Sequence, residues 1–179
     1  MIEGMPAEAA VRRLHTLGDA EVSALAEVLN DCVQGGASVS FMLPMTLEKA
    51  RAYWHSLAPA VARGELVVLA AFAHDGMMLG TVSVILKQPE NQPHRADVAK
   101  MLVHRRARRA GVGAALLAAA EAEARRAGKT LLVLDTASAD AERVYARAGW
   151  HLVGEIPDYA LWPGGGLCPT KLFYKKLGA

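Results

Sequence analysis

Apolar positions along the chain switch between two periods, and that switching predicts the elements. Val11–His15 alternates weakly and reads as a first strand. Val22, Leu25, Ala26 and Leu29 then recur three and four apart, the spacing of one helix face, so a helix capped by Asp19 should run to about Val33. Gln34–Met42 is too rich in glycine and serine to continue it. A second helix is expected from a Thr46 cap to Gly64. Two apolar runs follow, Leu66–His74 and Met77–Lys87. Asp75-Gly76 between them is a strong short signal for a hairpin. Gln88–His94, with two prolines, should be a loop leading into a strand over Arg95–Val103.

In the second half, an alanine-rich helix should run from Val112 to a glycine cap at Gly128. Thr130–Asp135 is a short continuous apolar run of the kind buried in parallel pairing. Ser138 should cap a helix that Gly149 ends, and Trp150–Ile156 should form a strand. Pro157, Pro163 and Gly164–Gly166 read as a loop returning the chain to a last strand near Lys171–Lys176. The order β-α-α-β-β-β-α-β-α-β-β predicts an α/β fold: a mixed, mostly antiparallel sheet with helices on both faces. No repeat or linker divides the chain, so a single domain over residues 1–179 is expected.

Composition narrows the class. With 53% hydrophobic and 21% charged residues, the chain is globular in character, and its few aromatics predict an aliphatic core. The net charge of +2 is too small for a broad nucleic-acid-binding face, and the arginines are not interleaved with aromatics. Cys32 and Cys168 lie far apart and have no metal-ligand spacing, so no metal is expected and reduced thiols in a cytoplasmic protein are. The N-terminal residues lack the basic start and apolar run of a signal peptide. Leu66–Ala73 is far too short to span a bilayer, so no membrane partner is expected.

The most informative segment runs from Val98 to Gly113: an apolar strand, a basic turn, then two glycines opening a helix. Its core is Arg108-x-x-Gly111-x-Gly113. Glycines let a ligand approach the backbone, and a helix N-terminus presents unsatisfied N–H groups with about half a positive charge. Together they form a cradle for a phosphate or pyrophosphate. A dinucleotide fingerprint fails because Leu116 stands where its third glycine belongs, and no glycine is followed by the Lys-Ser/Thr pair of a P-loop. A non-catalytic module that binds an anionic partner through the arginines remains the reading from another class.

The hexapeptide, placed between strand and helix, resembles the pyrophosphate loop of the GNAT N-acetyltransferases. Agreement extends to Val33–Met42, Arg95–Val103, Leu134-Asp-Thr136 and Gly154–Tyr159, where the chain is most similar to the tabtoxin-resistance branch of that family. The resemblance implies the acyl-CoA N-acyltransferase fold and acetyl-CoA as cofactor. It also implies direct acetyl transfer to a primary amine of a small molecule in a ternary complex. A polyamine, an aminoglycoside or a protein N-terminus is the alternative acceptor, and the protein is expected as a monomer or homodimer.

The resemblance also assigns residues. Pantetheine would lie along Met101, Leu102 and Val103, with a backbone N–H near Leu102 or Val103 polarising the thioester carbonyl. The pyrophosphate would sit on Arg108, Arg109, Ala110, Gly111, Val112, Gly113 and Ala114. Ser138 stands where many members carry an asparagine that touches the cofactor. Asp97 and Asp135 are the candidate bases. Asp135 ends an apolar strand, where open sheets tend to bind ligands. Asp97 stands where the tabtoxin-resistance pattern has a glutamate, and its shorter reach favours a water relay. Tyr145 is the candidate acid for the leaving thiolate. Gly35, Gly36, Ser38 and Phe41 on one side, and Glu155, Tyr159 and Trp162 on the other, are the candidate walls of the acceptor pocket.

Overall fold

A computed structural model describes residues 9–178. The strands are β1 (Ala10–Leu14), β2 (Leu66–Phe72), β3 (Met78–Ile85), β4 (Arg95–Val103), β5 (Leu131–Thr136), β6 (His151–Leu161) and β7 (Leu167–Lys176). The helices are α1 (Asp19–Gln34), α2 (Leu47–Ala62), α3 (Val112–Arg126) and α4 (Ala139–Arg147). A short 3₁₀ turn spans Arg105–Ala107. The strands form one sheet in the order β1-β2-β3-β4-β5-β7-β6, in which only β4 and β5 run parallel.

Strand alternation divides the core into two layers. On β2, Val67, Leu69 and Ala71 pack beneath α3 with Leu116, Leu117 and Ala120. Leu66, Val68 and Ala70 face the other way, onto Leu25, Leu29 and Trp54 of α1 and α2. A strand covered on both faces should read as a continuous apolar run, and β2 does. The hairpin turn between β2 and β3 forms as its Asp-Gly pair demands, with Gly76 at φ +85° and the Asp75 carboxylate accepting the Met77 N–H.

Three boundaries differ from the sequence reading in ways the structure explains. Gly18, not Asp19, is the N-cap of α1, and its carbonyl accepts the Val22 N–H. Asp19 lies one residue inside, where its charge favours the positive end of the helix. The expected loop at Pro157 is instead the middle of β6, which runs on to Leu161. β6 is an edge strand, so a missing N–H costs no ladder bond, and the chain absorbs the irregularity in a register shift between Ile156 and Ala160. The turn is confined to Trp162–Gly166, so β7 starts earlier than expected, at Leu167.

Candidate active site

The sheet opens where its one parallel pair ends. β4 and β5 are in register only over Arg95–Asp97 and Leu131–Val133. Beyond this point β4 continues to Val103 and β5 to Thr136 with no ladder between them. Against β3, β4 carries one extra residue between Ala99 and Leu102, and Lys100 there adopts φ +51°. Such a bulge re-aims the strand beyond it. The His104 N–H donates to the Leu79 carbonyl, so alternation turns the polar backbone groups of Leu102 toward β3 and those of Val103 toward the gap. Of the two N–H groups expected at the thioester, Val103 therefore faces the opening. Gly80 keeps β3 close on the other side, since a Cβ there would lie 2.6 Å from the Leu102 carbonyl oxygen.

The basic turn leaves β4 at the mouth of this gap. Arg105 is anchored: its N–H and Nε donate to the Asp31 carboxylate at 2.8 and 3.0 Å. Burial alone would raise the pKa of Asp31, but those hydrogen bonds, with the charges of His104 and Arg105, hold it below the ordinary carboxylate value. Arg106 donates to the Met78 carbonyl. Arg108 and Arg109 are exposed.

Helix α3 then begins behind Gly111, which is left-handed at φ +79°. Its first intrahelical bond is Ala115 N–H to the Gly111 carbonyl, which leaves the N–H groups of Val112, Gly113 and Ala114 without helical acceptors. No acidic residue stands in the first turn of α3 to compete for them. A Cβ on Gly113 would meet only Val103 and Val144 side chains, at 3.8 and 3.9 Å. The fold therefore tolerates a methyl group there. The bare backbone suits an anion that must come close, so the cradle fits a pyrophosphate.

The three expected catalytic groups have different settings. Asp135 projects from the opposite face of β5 to the core residues Leu132 and Leu134, and its carboxylate accepts a hydrogen bond from Thr170 Oγ1 on β7 at 2.8 Å. Tyr145 lies in the α3–α4 layer, packed against Trp150 and Phe173 with ring centroids 5.9 and 5.6 Å away. Burial, and secondarily the charge of Asp135, push the Tyr145 phenol well above its ordinary pKa. Tyr145 thus stays protonated, as an acid must. Asp97 differs. Its carboxylate, on the last β4 residue paired with β5 and on the same face of the sheet as Asp135, accepts from Arg95 and from Gln88 Nε2 at 3.2 Å.

The expected acceptor residues separate into groups. Ser38 Oγ donates to the Leu161 carbonyl, and Leu43 N–H donates to the Pro163 carbonyl, which stitches the α1–α2 loop to the β6–β7 hairpin. Phe41 stands edge-on to Tyr53 at 5.1 Å. Gly35 has a structural use: a Cβ would lie 2.9 Å from Arg105 Cδ, so the glycine lets the anchored arginine pass. Tyr159 is exposed in the irregular part of β6. Glu155 is not brought to this cluster. It pairs with Lys171, whose Nζ is held by Glu142 of α4, whereas Thr170 and Asp135 face the other side. Ser138 caps α4 by accepting the Ala141 N–H.

Lys100, Ser40 and Thr170 were not among the expected residues. Lys100 Nζ donates to Ser40 Oγ at 3.2 Å, and the Asp135 charge acts on it. The hollow lined by Val11, Arg13, Glu123 and Arg126 lies elsewhere, between β1 and the far flank of α3. Its acid, Glu123, is already paired with both arginines.

Comparison with known proteins agrees with this geometry. The chain matches a phosphinothricin acetyltransferase of the GNAT superfamily from Sinorhizobium meliloti, solved in complex with acetyl-CoA, at 16% identity and a TM-score of 0.77. That match covers 95% of this chain and 89% of the other. A ribosomal-protein-alanine N-acetyltransferase from Brucella melitensis matches at 22% identity and a TM-score of 0.75, covering 94% and 99%. An N-acetyltransferase from Staphylococcus aureus Mu50 matches at 17% and 0.77, covering 96% and 100%. At these identities the likeness establishes the fold. The model of the acetyltransferase (GNAT) family matches residues 39–150, more than half of the chain and the whole of the strand, turn and helix described above. The chain belongs to the GNAT acetyltransferase family.

Proposed function

We propose that this protein transfers an acetyl group from acetyl-CoA directly to the primary amine of a small molecule. The observation that carries the reading is the splayed β4–β5 edge opening onto the unopposed N-terminus of α3. Val112, Gly113 and Ala114 N–H groups, with Arg108 and Arg109, would hold the pyrophosphate, and the open backbone of Met101 to Val103 would lie along the pantetheine. When bound, acetyl-CoA supplies an activated acyl thioester.

The chain supplies the rest. The Val103 N–H is placed to stabilise negative charge on a carbonyl oxygen in the gap, and one such donor is typically worth about 3 kcal/mol. Asp135, fixed by Thr170, takes a proton from the acceptor's ammonium on one face of the sheet, and the neutral amine so formed attacks the thioester carbon. Tyr145 holds a proton on its phenol oxygen on the other face, ready for the leaving sulfur. With base and acid in these roles, the freed amine takes the acetyl group directly from the thioester and the sulfur leaves as CoA thiol. Asp97, engaged by Arg95 and Gln88, serves at most through water. Toxin detoxification of the tabtoxin-resistance type fits this arrangement, and the two buried free thiols suit a reducing cytoplasm. Among the described residues, no helix is long and apolar enough to cross a membrane.

The test is a thiol-release assay with acetyl-CoA and a panel of amines: amino acids, a β-lactam dipeptide, polyamines, aminoglycosides and peptides. Amine-dependent release that Asp135→Asn slows by about 10²–10⁴ is expected. Thiol release at one rate with every amine and with none would overturn the reading.

A further inference from the structure

Lys100 has no part in the transfer chemistry, yet the structure invests in its position. It occupies the β4 bulge at φ +51°, and the residue it reaches, Ser40, is also left-handed at φ +77°. Non-glycine residues held in that region cluster at ligand sites. The ammonium donates to Ser40 Oγ at 3.2 Å and stands 5.7 Å from the Tyr53 ring centroid. It is only partly exposed, and burial pulls its pKa down while the Asp135 charge works against that. Among the described residues no carboxylate lies within 4.0 Å of it.

Asp135 lies on the same face of the sheet, close enough for its charge to act on Lys100, and the two do not pair. A hydroxyl from a different element tethers each: Ser40 of the α1–α2 loop holds Lys100, and Thr170 of β7 holds Asp135. The result is a fixed positive group on β4 and a fixed negative group on β5, both beyond the last paired residues of the two strands. A ligand complementary to both carries an ammonium and a carboxylate. A polyamine or aminoglycoside would set a second cation against Lys100.

We propose that Lys100, Ser40 and Tyr53 form a carboxylate subsite in the acceptor pocket, so that the acceptor is an amino-acid-like zwitterion with its ammonium directed to Asp135. This rests on the acetyl-transfer reading of the site.

The test compares each of the common L-amino acids with its primary amide, which keeps the amine and removes the carboxylate charge. Wild type should favour the best acid over its amide in kcat/KM by about 10- to 100-fold, the range for one charge-assisted hydrogen bond. Lys100→Met should collapse that ratio toward unity, chiefly through KM, while Lys100→Arg retains most of it. Both variants should bind CoA as wild type does, which certifies their fold. An acid-to-amide ratio unchanged in Lys100→Met, or a wild-type preference for amides or diamines, would overturn the inference.

Titration of the CoA-bound protein, followed at the Lys100 side-chain NMR signal, needs no turnover. Acids at tens of millimolar should move that signal and amides should not. No acid-selective shift across the panel overturns the subsite even if transfer occurs. Loss of CoA binding in wild type overturns the transfer reading instead.

Discussion

Replacing Gly113 with alanine should move stability and cofactor affinity in opposite directions. The glycine sits in the first turn of α3 without a left-handed φ, and an added Cβ meets Val103 and Val144 at ordinary contact distances of 3.8 and 3.9 Å. Alanine is the better helix former by about 0.5–1 kcal/mol. For a chain of this length, that gain should raise the Tm of the ligand-free protein by about 1–4 °C. The same methyl group obstructs an anion approaching the Val112–Ala114 N–H groups. One lost hydrogen bond to a charged group costs about 1.5–3 kcal/mol, so CoA affinity should fall by about 10- to 100-fold. Scanning calorimetry without ligand and titration calorimetry with CoA measure the two effects. A raised Tm with unchanged CoA affinity would show that no ligand comes close at Gly113. A lowered Tm would show that the fold itself needs the glycine.

Asp135→Asn should lower the transfer rate by about 10²–10⁴ and leave the CoA Kd unchanged, as initial rates and titration calorimetry would show. Tyr145→Phe should slow turnover and also alter alkaline stability. Burial raises the folded pKa of the phenol above its unfolded value, so the linked stability is complete below about pH 10 and is lost as pH rises toward the folded pKa. The wild type should therefore lose more denaturant resistance than Tyr145→Phe above about pH 10, and parallel losses would contradict this. Asp31→Asn should cost about 1.5–3 kcal/mol at neutral pH by releasing Arg105. Because the Asp31 pKa is lowered, that difference should shrink as pH falls below about 4, which urea denaturation at two pH values would reveal.

The elements that residue order specifies locally were legible. The β2 run, the Asp75-Gly76 turn, the Thr46 and Ser138 caps and the Gly128 stop all rest on near neighbours, and each formed as expected. Pro157 misled because its tolerance depends on β6 being an edge strand, which only the assembled sheet decides. Glu155 misled for a related reason. A sheet residue's face depends on register, and the pairing of Glu155 with Lys171 turns it away from Thr170. Lys100 left no local trace, because its aim comes from a bulge set by the pairing of β3 with β4. Its partners Ser40 and Tyr53 come from a loop and a helix 60 and 47 positions earlier in the chain. The turn Arg108–Gly113 was legible because strand, glycines and helix start are contiguous.

Titration of the wild-type protein with acetyl-CoA most directly tests whether that turn is an acyl-CoA cradle. The arrangement of the α3 N-terminus and the open β4 edge predicts saturable binding at one site per chain, which Gly113→Ala weakens. No detectable heat at millimolar acetyl-CoA would contradict it.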